Sequence, residues 1–155
     1  MREILFRGKT KGEPTGTYIF DWAFGNLVRE LKTKRIFICD LSHFDDSTKL
    51  QDVLTEVDPE TIGQYTGLLD KNGTKIFEGD IVKWGHLPHS YEKPIRIAAV
   101  EFNPDIQYRT VTMRDPNTHR DYYFKQGCFA YAETQFYLEV IGNIHDNPEL
   151  LEVEK

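Results

Sequence analysis

Apolar and polar residues alternate over short spans of this chain, and Gly, Pro, Asn or Asp closes each span within a few residues. This is the rhythm of half-buried strands joined by turns. Arg2 to Arg7 reads as an opening strand, and Lys9 to Thr17, with Gly12, Pro14 and Gly16, as a loop. Thr17 to Phe24 reads as a strand with Tyr18, Phe20 and Trp22 on one face. Gly25-Asn26 then signals a tight turn, Leu27 to Leu31 a return strand, Thr33-Lys34 another turn, and Arg35 to Leu41 an apolar strand. Together these predict a meander of about four strands. Helical spacing competes only across Asn26 to Lys34, through Leu27, Val28 and Leu31. Strand is preferred there because the aromatic run before it needs a partner.

The pattern then changes. Ser42 to Pro59 is polar and acidic and reads mostly as linker. Ser47 to Leu54 has room for a helical turn or two, and Asp58-Pro59-Glu60 suits a capped helical turn with Pro at its first position. A boundary here predicts an N-terminal part over residues 1–57 and a C-terminal part over 58–155.

Strand signals resume at Ile62 to Thr66. Asp70-Lys71-Asn72-Gly73 places Asn and Gly where a hairpin uses positive φ. Glu78-Gly79-Asp80 is the next turn, and Ile81 to Trp84 resumes an apolar run. Ile95 to Phe102, Gln107 to Arg114, Tyr122 to Phe124 and Leu138 to Ile144 follow as strands, with turns at Asn103-Pro104-Asp105 and Asp115-Pro116-Asn117. Tyr108, Thr110, Thr112 and Arg114 fall on one side of their strand, Val111 and Met113 on the other. Asn147 to Leu151 suits a closing helical turn. The expected fold is mainly β: an N-terminal β-meander and a small SH3-like C-terminal barrel, with short helical turns.

Eight Tyr, ten Phe and two Trp in 155 residues fit this strand-rich reading. Charge is uneven. Residues 1–35 hold eight basic against four acidic side chains, a net of +4, while residues 36–80 hold three against ten, a net of −7. The whole chain is −6, a poor balance for neutralising phosphates. No apolar run approaches the roughly 20 residues of a membrane-spanning helix, and the start of the chain lacks a signal-peptide core. A cytoplasmic location in a bacterial host is the expectation, with Cys39 and Cys128 as separate buried thiols.

Three blocks carry a family resemblance: Met1 to Arg7; Thr61-Ile62-Gly63-Gln64-Tyr65-Thr66-Gly67-Leu68 running on to Glu78-Gly79-Asp80-Ile81-Val82; and Glu139-Val140-Ile141-Gly142-Asn143-Ile144-His145-Asp146 through Leu151. In order and spacing they resemble the YopX family of small phage and prophage proteins. The resemblance implies a predominantly β protein from a phage or prophage and supplies no catalytic residues.

Recognisable chemistry is sparse. His86 and His89 form the only close histidine pair and lack the further ligands zinc requires. Asp40, Asp45, Asp46 and Asp52 lack the loop pattern that arranges oxygens around calcium. Nucleophile-elbow and phosphate-loop patterns are absent. No enzyme, metal or cofactor is expected. The best surface candidate interleaves aromatic and basic residues: Tyr108, Arg109, Arg114, Arg120, Tyr122, Tyr123 and Lys125. The leading expectation is a non-enzymatic interaction or assembly protein that associates with itself or with a phage or host protein. The alternative is a small barrel that binds single-stranded nucleic acid, with stacked bases and contacted phosphates. The net charge and the neighbouring Asp105, Asp115 and Asp121 oppose it.

Overall fold

The computed structural model describes residues 3–11, 21–42, 44–85, 96–114, 120–125 and 138–152; for 111–114, 121 and 122 it describes the backbone alone. The fold is mainly β, as expected, with eleven strands and a few 3-10 turns among the described residues. Two compact units divide it, Met1–Tyr65 and Thr66–Lys155.

In the first unit the strand order is β4-β3-β2-β1-β5. These are β1 (Phe6–Lys9), β2 (Trp22–Arg29), β3 (Ile36–Cys39), β4 (Leu54–Glu56) and β5 (Gly63–Leu69), of which β5 runs past the division. The meander is present, with one correction. Gly25 lies inside β2, which passes through Gly25-Asn26 without turning. Its neighbours explain the glycine: it faces Phe6 on β1, and a Cβ there would collide with the carbonyl oxygen of Cys39. Glycine marks a close backbone approach at this position. The turn comes later, where Lys34 adopts φ 61° and Glu30 and Arg35 close the β2–β3 hairpin.

The expected linker is more ordered than its composition suggests. Leu54, Thr55 and Glu56 pair with Cys39, Ile38 and Phe37, and Val57 is fully buried beside Gly8. The expected turns are present at Leu50–Val53 and Pro59–Thr61, the second capped by the Asp58 carboxylate, which accepts from the Glu60 N–H at 3.1 Å. The two compact units meet at 65/66. Residues beyond 57 bind the first unit: the Lys9 N–H donates to Thr61 Oγ1 at 2.8 Å, and the Tyr65 N–H to the Leu5 carbonyl at 2.8 Å.

In the second unit, β6 (Lys75–Phe77) neighbours β5, and a five-stranded antiparallel sheet runs β10-β9-β8-β7-β11. Its strands are β7 (Asp80–Trp84), β8 (Arg96–Phe102), β9 (Ile106–Arg114), β10 (Asp121–Lys125) and β11 (Glu139–Asn143). Ile76, Val82, Trp84, Ala98, Val100, Tyr108 and Leu138 form one buried cluster. Trp84 meets Tyr108 and Phe124 edge-on, with centroids 6.2 and 5.6 Å apart, a favoured aromatic arrangement.

The Asp70 hairpin organises this unit. Gly73 takes positive φ (81°), whereas Asn72 does not; Lys34 is the one non-glycine with positive φ among the described residues. Asp70 replaces the second left-handed residue. Its Oδ1 accepts from the Asn72 and Thr74 N–H groups, each at 2.8 Å, and its Oδ2 accepts from the Val140 N–H of β11 at 3.1 Å. The side chain is 2% exposed. Burial pushes its pKa up, but the N–H bonds from Thr74, Val140 and Asn72 together outweigh that and hold the carboxyl below its ordinary value.

Candidate interaction surfaces

The basic and aromatic residues of β9 and β10 separate onto different environments. Tyr108 is no surface residue: it is fully buried, and burial drives its phenol pKa well upward. It shares a face with Val100 and Phe124, its cross-strand neighbours, because strand side chains alternate. Arg109 faces the other way. Its Nε donates to Glu101 Oε1 at 2.6 Å, so the cation already has a carboxylate partner. Directly opposite Arg109 stands Tyr123, which is 45% exposed. Lys125, opposite Gln107, is exposed, as is Arg120 just before β10. Arg114 pairs with Asp121, and Tyr122 lies at the register shift of β10; the side chains of Arg114 and Tyr122 lie outside the description. The structure therefore brings Arg109, Tyr123 and Lys125 to one side, with Glu101 among them. Arg109, Tyr123 and Lys125 all belong to the aromatic and basic set that the sequence singles out.

On β11, at the other edge of the sheet, Glu139 accepts from two lysines, Lys71 at 2.6 Å and Lys83 at 3.3 Å. The Lys71 hydrogen bond is the main cause that lowers its pKa; desolvation opposes it, and the Lys83 hydrogen bond and the two lysine charges add to the lowering.

The first unit carries a different surface. Arg7 and Lys9 of β1 sit over the Trp22 ring at 4.7 and 5.8 Å. Further along β2, Phe24, Leu27 and Val28 are exposed, and Leu31 in the following turn is 90% exposed. Arg35 in the β2–β3 turn donates to Glu30 at 3.0 Å and to Glu56 at 3.4 Å, and Thr33 donates to Glu30. At the other end of β3, Leu41, Phe44 and Leu50 are exposed as well. Two signals in the sequence marked this unit: the +4 charge of residues 1–35 and the aromatic alternation ending at Trp22.

Two of the four aspartates, Asp45 and Asp40, have local roles. The Asp45 carboxylate accepts from the Ser47 hydroxyl at 2.6 Å, the Ser47 N–H at 2.9 Å and the Thr48 hydroxyl at 2.9 Å, which lowers its pKa to about 2. Asp40 accepts from the Ser42 N–H at 2.9 Å. These are side-chain-capped turns. No group of three or more metal-ligating side chains occurs among the described residues. The His86–His89 loop and Cys128 lie outside the described residues, and Cys39 is a buried free thiol. No helix among the described residues is long and apolar enough to cross a membrane.

The sequence profile described as "YopX protein" matches residues 27–152, from the exposed part of β2 to the closing 3-10 turn. The chain belongs to the YopX family. No curated protein matches it. Among solved structures, this YopX-family chain is similar to "Crystal structure of protein EF1440 from Enterococcus faecalis", at 24% identity and a TM-score of 0.44, over 98% of this chain and 100% of that one.

Proposed function

We propose that this YopX-family protein is a non-enzymatic interaction or assembly protein, encoded by a phage or prophage and working in the bacterial cytoplasm. One observation carries the reading: Phe24, Leu27, Val28, Leu31, Leu41 and Phe44, all in one small unit, are at least 38% exposed. Exposed apolar side chains of this size in one region favour a protein contact. For the second unit, β7 begins a meander and takes the last strand, β11, as its other neighbour. That order supports the small SH3-like barrel reading.

The single-strand nucleic-acid reading is weaker. Its support is Tyr123 with Lys125 on one sheet side; against it stand the burial of Tyr108 and the Glu101 partner of Arg109.

The test is affinity capture of the tagged full chain from infected cells, combined with light scattering of the pure protein. Self-association or capture of a defined partner is expected, and Leu31→Asp with Phe44→Asp should abolish it while the melting temperature holds. A monomer that captures nothing, or a complex that ignores both substitutions, contradicts the reading.

A further inference from the structure

Resting on the interaction reading above, we propose that the partner of the first unit is a second copy of the same unit, joined through two patches that complement each other. One patch is the β2–β3 hairpin tip. Leu31 is 90% exposed there, and residues 29–35 hold four basic side chains (Arg29, Lys32, Lys34, Arg35) against one acidic, Glu30, a net of +3. The other is the loop after β3. Leu41, Phe44 and Leu50 are exposed, and residues 40–52 hold four acidic side chains (Asp40, Asp45, Asp46, Asp52) against one basic, Lys49, a net of −3. Each patch is apolar with a charged rim, the composition of a docking surface, and the rims are opposite in sign.

The two patches cannot satisfy each other within one copy. The tip precedes β3 and the loop follows it, so the whole strand Ile36–Cys39 stands between them. Four residues of strand span roughly 13 Å. That exceeds the screening length of about 8–10 Å in physiological salt. Arg29, Lys32, Lys34, Asp46 and Asp52 have no ion pair among the described residues. Two copies related by a two-fold axis, with their β3 strands antiparallel, bring each tip to the other's loop. One symmetry operation then makes both contacts, which is the closed, isologous outcome. Arg35 adds to the charge of the tip but is left intact in the test below, because Glu30 and Glu56 hold it.

The experiment is sedimentation velocity on the full chain in low and high salt. Wild type is expected at about twice the 18.1 kDa chain mass, weakening as salt rises. Arg29→Glu, Lys32→Glu and Lys34→Glu together should weaken association at least about tenfold. Asp46→Lys with Asp52→Lys should do the same from the other side; Asp45 is left intact because it caps its own turn. Combining all five reversals should restore the dimer. Circular dichroism melting checks that every variant folds. A wild-type dimer indifferent to both sets of reversals overturns this interface and leaves the interaction reading standing. A wild-type monomer at all concentrations overturns the self-contact, and capture from cells then decides the interaction reading separately.

Discussion

The two units are built from the same kind of antiparallel strand, yet they dispose of their apolar residues in opposite ways. The second unit gathers Ile76, Val82, Trp84, Ala98, Val100, Tyr108 and Leu138 into one buried cluster. Among the described residues, the first buries Ile38, Cys39, Val57 and Tyr65 as its apolar side chains, and leaves Phe24, Leu31 and Phe44 in water. Strand-forming sequence therefore serves two ends here. In one unit it makes a core that holds itself together, and in the other it makes a surface whose apolar side chains call for a partner.

The largest expected effect breaks this contrast at the core. Tyr108→Ala should cost about 3–5 kcal/mol, since it empties the site of a large buried side chain. Chemical denaturation monitored by Trp fluorescence checks it. A loss comparable with an ordinary surface substitution would mean that the second unit has no such core.

Glycine substitutions sharpen the comparison. Gly25→Ala, in the first unit, forces a methyl group against the Cys39 carbonyl and should cost about 1–3 kcal/mol, with separation of β2 from β3. Gly73→Val, in the second, meets no atom within 4 Å of its Cβ, so only its φ of 81° opposes the change. A cost just over about 1 kcal/mol is expected there. Thermal melts of the two variants should rank in that order, and an unaltered melt for Gly73→Val would refute the turn.

Acid should act through Asp70. Its folded pKa lies below the ordinary 3.8, so its carboxylate stabilises the fold at every pH above the unfolded value. That contribution disappears as pH falls through the folded pKa, because a protonated carboxyl loses its hold on the Asn72, Thr74 and Val140 N–H groups. Asp70→Ala should remove about 1–3 kcal/mol at neutral pH and flatten the acid limb of the stability curve. Denaturation midpoints between pH 2.5 and pH 7 (about the range where an Asp titrates) make the comparison. A variant with the same acid limb as wild type would show that Asp70 is not the group responsible.

Legibility followed locality. The Asp70–Gly73 hairpin, the Asp58-Pro59 cap and the closing turn at Pro148–Leu151 were readable because neighbours in sequence make them. Gly25 misled because its reason lies across the sheet, in the backbone of β3. Leu54 to Glu56 looked like linker because its polar neighbours hid a three-residue strand that only pairing with β3 creates. Tyr108 looked like a binding aromatic because alternation in β9 does not say which face meets the core. The exposed patch of the first unit was half visible, as uneven charge. The apolar residues beside that charge read as strand interior until the sheet left them uncovered.

The contrast between the units is tested most directly by amide hydrogen exchange, read by mass spectrometry on the full chain at low and at high protein concentration. Protection in β7 and β8 should be strong and independent of concentration, as expected of a core complete in one chain. Protection in β2, β3 and residues 41–50 should rise with concentration as copies cover each other. Equal protection of β2 and β3 at both concentrations, or a rise confined to β7 and β8, would contradict the account.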